Sequence, residues 1–261
     1  MTISLQGKRA LIMGVANNRS IAWGIAQAMA DAGAELAFTY QGEAFGARLK
    51  PLAESVGSDM MVDVDVTDDA SMDAAFAMLK DKWGTIDIVV HAIAYSDKTE
   101  LAGRFINTSR ANFRNSLTIS CYSLIDVARR AAELMPDGGT ILTLTYAGSN
   151  RVTPFYNVMG VAKAALESAV RYLASDLGPQ RIRVNAISPG PMKTLAGAAI
   201  AGARRTFKHT ADNAPMGNAT LEAVGGTAVY LASDAGEYTT GEIVRVDGGF
   251  HVLGMPNADN L

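Results

Sequence analysis

Chemistry in this sequence concentrates between Leu144 and Glu167, a run that carries Tyr146, Tyr156 and Lys163. A phenol stays protonated at neutral pH and donates one hydrogen bond, while a lysine ammonium is a compact cation with three donors. Together they can donate hydrogen bonds to a ligand and place positive charge near it. Tyr156 and Lys163 lie seven residues apart, nearly two turns of helix. A helix over 155–177 would set both on one face, about 10.5 Å apart along its axis. A spacing of four would bring them to about 6 Å, and Met159 occupies that place.

The elements that must position these groups read as repeated strands and helices. Short β-branched or apolar runs fall at Arg9–Gly14, Glu35–Tyr40, Met60–Val64, Ile86–Ala92, Thr140–Thr145, Ile182–Ile187 and Ile243–Val246. Helical periodicity separates them at Ile21–Ala32, Ala44–Val56, Ala70–Lys82, Phe113–Leu134, Phe155–Leu177 and Leu221–Ala232. The rhythm predicts an α/β fold, a single Rossmann-type doubly wound domain over 1–261 whose parallel seven-stranded sheet is flanked by helices. No internal repeat or low-complexity tract interrupts it.

The first strand runs into Gly14-Val-Ala-Asn-Asn-Arg-Ser20-Ile-Ala-Trp-Gly24 and then an apolar helix. Here a dinucleotide fold turns tightly and aims a helix N-terminus at pyrophosphate. Gly14 permits the turn, Ser20 is expected to cap the helix and offer its hydroxyl to phosphate, Ile21 opens the helix, and Gly24 allows close helix–sheet packing. At the end of the second strand Gln41 falls at the adenosine ribose. The run Tyr40-Gln-Gly-Glu43 has no adjacent Arg or Lys for a 2′-phosphate, which favours NADH over NADPH, with Arg48 serving solubility or reaching back.

The third strand ends in Asp65, whose carboxylate suits the adenine amino group, and in Val66, which lends its backbone; Asp65 suits a cap for the next helix equally well. The fourth ends His91-Ala-Ile93-Ala-Tyr-Ser96, small and apolar where the backbone runs under the cofactor ribose, with Ser96 placed toward substrate. His91 reads as a packed strand residue because no acid or nucleophile accompanies it locally. After the sixth strand, Ser188-Pro-Gly-Pro-Met192-Lys-Thr194 is a rigid turn whose backbone would meet the nicotinamide carboxamide, with the Thr194 hydroxyl near phosphate.

These motifs resemble the enoyl-acyl-carrier-protein reductase branch of the short-chain dehydrogenase/reductase superfamily along essentially the whole chain. The resemblance rests on the Tyr156–Lys163 spacing, the second tyrosine ten residues earlier at Tyr146, and the Gly14…Ser20-Ile-Ala-x-Gly24 loop. The wider superfamily has its tyrosine four residues before the lysine, and its GxxxGxG loop has glycines where Asn18 and Ser20 stand here. Thr143, inside an apolar strand, replaces its usual serine. The resemblance implies NADH-dependent reduction of the trans-2 double bond of enoyl thioesters in bacterial fatty acid synthesis. In such a substrate the hydride-accepting carbon is two bonds from the carbonyl carbon, so conjugate reduction wants its oxygen-stabilising donor displaced relative to carbonyl reduction.

By the same resemblance Tyr156 binds the enolate oxygen, Lys163 holds the cofactor near its nicotinamide ribose, and Tyr146 orients the thioester or assists Tyr156. Also implied are an apolar lid over 194–210, docking of acidic acyl carrier protein at Arg204, Arg205, Lys208 and His209, and a homotetramer. The segment 195–203 equally suits an ordinary packed helix, and the basic cluster a solvated helix face. Asp247-Gly-Gly-Phe250 is expected to give structure and subunit contacts. Two further readings stay open, a carbonyl or alcohol oxidoreductase of the superfamily and a non-catalytic NAD(H)-sensing protein.

Composition excludes other classes. The 261 residues are 49% apolar and 19% charged, enough to bury a sizeable core. A dispersed net charge of -3 gives no basic field for nucleic acid or an anionic membrane. The single cysteine, Cys121, cannot form an intramolecular disulfide and reads as a packing residue in a reducing compartment. Met1 to Gly7 is too short and polar for a signal segment and no run suits a bilayer, so a cytoplasmic location is expected, with no metal site.

Overall fold

The computed structural model describes residues 3–198 and 200–257. Seven strands, β1 (Arg9–Met13), β2 (Glu35–Tyr40), β3 (Met60–Asp63), β4 (Ile88–His91), β5 (Gly139–Leu144), β6 (Ile182–Pro189) and β7 (Ile243–Val246), form one parallel sheet in the order β3-β2-β1-β4-β5-β6-β7. Each lies within two residues of its expected bounds. The connecting helices are α1 (Ile21–Asp31), α2 (Glu43–Ser55), α3 (Asp69–Trp83), α4 (Lys98–Leu101), α5 (Arg110–Leu117), α6 (Ser123–Glu133), α7 (Val158–Leu177), α8 (Leu195–Ala198), α9 (Ala203–Asn213) and α10 (Leu221–Ala232).

Strand order reverses between β1 and β4, so a crevice opens there at the carboxyl edge where every strand ends. Both faces of the sheet are buried. In β1, Ala10 and Ile12 enter the core shared with α1, α2 and α10, while Leu11 and Met13 enter the core shared with α3, α6 and α7.

Three departures from expectation bear on the site. The helix expected over 113–134 begins at Arg110 and is interrupted by a π turn at Thr118–Tyr122. Ser123 donates back to the Ile119 carbonyl at 2.6 Å, the side-chain competition that distorts helices, and the apolar period that sequence reading relies on is untouched by it. The helix expected from Phe155 opens only at Val158, because Phe155 (φ 63°) and Asn157 (φ 41°) have left the helical region. Tyr156 therefore stands on the turn before α7, and the shared helical face with Lys163 does not exist. Gly24 serves helix–helix rather than helix–sheet packing. A Cβ there would lie 2.8 Å from Leu221 Cβ, and one at Gly225 would lie 2.7 Å from the Gly24 carbonyl, so α1 and α10 close on paired glycines.

Candidate active site

Strand β5 ends at Leu144, and its carbonyl accepts a 2.7 Å hydrogen bond from Lys163 Nζ on α7. Lys163 is only 5% exposed. Burial lowers its pKa to about 8 against the opposing influence of Cys121 and Glu167, so the ammonium persists at neutral pH. One N–H is held by Leu144, which leaves two for a ligand.

Tyr146 stands two residues past the end of β5 and meets Tyr156 edge to face, with ring centroids 5.1 Å apart at 63°. Tyr156 is buried with Leu101, Val158 and Met159, and Leu117, Tyr146 and Ile200 pack around that cluster. Burial raises both phenols above their usual range, and Tyr146 and Glu167 push Tyr156 further the same way. Both therefore remain hydrogen-bond donors at any working pH. A phenol pair walled by apolar side chains, with a buried cation on the helix that follows, can stabilise an oxyanion in a low-dielectric setting.

The crevice between β1 and β4 fits a dinucleotide on its own geometry. At Gly14, φ 97°, a Cβ would stand 2.1 Å from the Ala92 carbonyl, so the turn admits only glycine. Ser20 does not cap α1 as expected. Its Oγ accepts from the amides of Ala16 at 3.0 Å and Asn17 at 3.1 Å, because the loop folds back over it, and its own O–H is left for a phosphate oxygen. Trp23 and Gly24 return their amides to the Ser20 carbonyl, so those of Ile21 and Ala22 point out of the helix end.

Asp65 accepts from the Thr67 amide at 2.8 Å, from its hydroxyl at 2.7 Å, and from the Gln41 side chain, which together lower its pKa. It does not cap the next helix, since Asp68 does that through Ala70 N. Gln41 and Asp65 thus meet beyond the carboxyl ends of β2 and β3, with Asp63 taking the Gly42 amide beside them. Arg48 lies over the Phe45 ring, 5.7 Å from its centroid. Val66 and Ile93 line the ends of β3 and β4 on one core cluster.

Beyond β6, Thr194 Oγ1 accepts from the Gly197 amide at 2.9 Å, and Met192 packs on the core of the α1 face. A cleft of about 220 Å³ here is lined by Arg19, Met192, Lys193, Phe207, Ala219 and Leu221, joining the glycine loop to α9. Ser96 bonds inward instead of outward, to Ser116 at 2.9 Å and Asn112 Oδ1 at 3.3 Å, so it braces the loop against α5.

A family model described as enoyl-(acyl carrier protein) reductase matches residues 14–251. The chain belongs to that family. It is 56% identical over 258 residues to enoyl-[acyl-carrier-protein] reductase [NADH] 2 of Rhizobium meliloti strain 1021, covering 98% of this chain and 96% of that protein. The crystal structure of the Anaplasma phagocytophilum reductase in complex with NAD shares 52% identity and a TM-score of 0.94, covering 97% of each chain. That of the Bacillus cereus reductase with NADP+ and indole naphthyridinone shares 46% identity and a TM-score of 0.95, covering 98% of this chain and all of that one.

Several residues that shape this reductase's site escape sequence reading. A Cβ at Gly148 would lie 2.3 Å from Tyr156 Cδ1, and one at Gly160 2.7 Å from the Gly148 carbonyl. These two glycines let the loop after β5 and the first turn of α7 close on the tyrosine ring. Asn157 holds φ 41° and ψ -122°, near the first central position of a type II′ turn, and its amide donates to the carbonyls of Leu101 at 3.0 Å and Gly103 at 2.9 Å. The signal for Gly160 was a glycine one turn into a helix, where it weakens the helix without a reason visible in the pattern. His91 is buried and neutral, bonded to Thr143 and Ser123, as the packed-residue reading expects.

Proposed function

We propose that the chain reduces the trans-2 double bond of enoyl thioesters carried on acyl carrier protein, with NADH as hydride source. The observation that carries this reading is the edge-to-face Tyr146–Tyr156 pair, which packs with an apolar cluster reached by Ile200, with the buried Lys163 on the helix that follows. The nicotinamide nucleotide, held between the Gly14–Ile21 loop, Gln41 with Asp65, and Met192 to Thr194, supplies the hydride when bound. Tyr156 donates its hydrogen bond to the thioester oxygen as charge develops there, from a ring already fixed by packing. Tyr146 braces that ring and helps orient the thioester. Lys163 holds ribose hydroxyls with its two remaining N–H groups and keeps a positive charge beside the reacting centre.

The chain acts as one catalytic unit over 1–261, with 194–210 as its lid; Ile200 packing on the tyrosine cluster supports that role. Carrier protein docks at α9, where Arg204 and Arg205 are exposed while Lys208 is occupied by Asp212 at 2.6 Å. Exposed Phe113, Tyr122, Ile125 and Tyr172 on the α5–α7 side suit subunit contacts in a homotetramer. No helix among the described residues is long and apolar enough to cross a membrane, and no cluster of His, Cys, Asp or Glu among them could hold a metal. A cytoplasmic location is proposed from the kinship with bacterial fatty acid synthesis enzymes, and no metal is assigned to the reaction. NADH is preferred over NADPH because Asp63 and Asp65, not cations, flank Gln41.

The test is loss of NADH absorbance with a trans-2-enoyl thioester, comparing the native chain with Tyr156→Phe and Lys163→Met and repeating each with NADPH. Turnover with NADH that falls in both variants supports the assignment. Tight NADH binding without turnover of any enoyl thioester rejects it.

A further inference from the structure

Residues 144 and 145 leave the sheet side by side, and each is gripped by α7. The Leu144 carbonyl takes Lys163 Nζ at 2.7 Å, and Thr145 Oγ1 donates to Glu167 Oε1 at 2.6 Å. Lys163 and Glu167 are one helical turn apart, so neighbouring side chains of one face hold the two residues that precede Tyr146. Thr145 is itself fixed, 3% exposed and bonded through its amide to the Ile187 carbonyl of β6. Glu167 can therefore neither swing away nor turn to solvent without breaking a short bond to a fixed donor.

The groups bearing on Lys163 come from each neighbouring element. His91 of β4 is held neutral by burial, with its pKa lowered to about 3. Cys121 of the π turn is a thiol that burial keeps protonated, and Tyr146 and Tyr156 are phenols likewise held protonated. Glu167 of α7 is the one carboxylate among these groups. Nothing in the cofactor and tyrosine roles already assigned makes use of it.

We propose that Glu167, locked by Thr145, is a positioning residue that retains and orients the Lys163 ammonium for cofactor binding and sets the chain direction into Tyr146. The inference rests on the reading that Lys163 holds the cofactor.

The experiment titrates NADH affinity by fluorescence from pH 6 to 10, alongside kcat and KM for an enoyl thioester, in the native chain, Glu167→Gln, Thr145→Val and Lys163→Met. A charge of opposite sign at close range shifts a pKa by about 1 unit or more, so Glu167→Gln should move the alkaline limb of NADH affinity about 1 unit toward acid. Thr145→Val keeps the charge, so its limb should stay within a few tenths of a unit while kcat falls several-fold through Tyr146. Lys163→Met should abolish the limb. A limb that is lost in Lys163→Met yet unmoved in Glu167→Gln overturns this proposal alone. A limb that survives in Lys163→Met overturns the proposal and the reading of Lys163 beneath it. If Glu167→Gln does not fold, Glu167→Asp carries the test: the limb should move the same way by a smaller step, and an unmoved limb overturns the proposal.

Discussion

Substituting Gly148 by alanine tests whether the shape of the loop after β5, and not merely the presence of a tyrosine, sets the reaction geometry. Gly148 does not hold a positive φ, so the backbone accepts alanine and the whole effect comes through space. The new methyl would stand 2.3 Å from Tyr156 Cδ1 and 2.8 Å from Cε1, short of ordinary contact at 3.4 Å by about 1 Å. The loop cannot retreat easily, since the Gly148 carbonyl already sits where a Cβ on Gly160 would be at 2.7 Å. The ring must therefore yield by about 1 Å, and displacements of that size lower rates by about 100-fold.

Overpacking of this kind destabilises by about 1–3 kcal/mol, which lowers the melting temperature of a chain this size by several degrees. Steady-state NADH oxidation with a trans-2-enoyl thioester should show kcat reduced by about 100-fold. NADH affinity should hardly change, because the Lys163–Leu144 bond is untouched. Native kcat in folded Gly148→Ala, with Tyr156→Phe inactive beside it, would refute the claim that these glycines position the phenol.

Three further outcomes follow from particular residues. Gly14→Ala places a Cβ 2.1 Å from the Ala92 carbonyl at φ 97°, so strain of about 1–3 kcal/mol should weaken NADH binding at least several-fold in a fluorescence titration. Asn157→Ala loses the amide grip on Leu101 and Gly103 and keeps a Cβ at φ 41°, whereas Asn157→Gly loses only the grip; both should lower kcat, and the alanine variant should melt lower. His91 has a folded pKa of about 3 against 6.5 for the free side chain, so the unfolded chain takes up the proton first. Its contribution is whole above pH 6.5 and is lost as pH falls toward 3, by up to about 1.4 kcal/mol per unit, and urea unfolding of His91→Gln between pH 7.5 and 5.5 should lack that slope.

The sheet was legible because its inner strands are buried on both faces and must be written as short runs of β-branched and apolar residues, as Ile88 to Val90 and Ile141 to Leu142 are. The turn after β1 was legible too, since a glycine at positive φ followed by a helix start is what a tight strand-to-helix connection demands. The π turn at Thr118–Tyr122 left no mark, because inserting one residue into a helical turn barely moves the apolar stripe that identifies the helix. Side-chain partners were the weakest ground. Ser20 and Asp65 are cap formers by type, yet both turned inward to bond loop amides, and only the fold of each loop decides which amides come within reach.

The tyrosine is the instructive case, since the reading placed Tyr156 on a helical face that the structure does not have. A seven-residue spacing suggested a helical separation of about 10.5 Å, but Tyr156 belongs to no helix, so helical rise cannot set its distance from Lys163. What sets it is the sharp turn at Asn157, the two glycines that admit the ring, and the grip of α7 on Leu144 and Thr145. A chain with the same tyrosine and lysine spacing but a bulky residue at position 148 or 160 would keep the motif and lose the site. The motif is thus informative only together with Gly148, Asn157 and Gly160, and these act by making room or by making a turn, roles that carry no chemistry of their own for a sequence reader to notice.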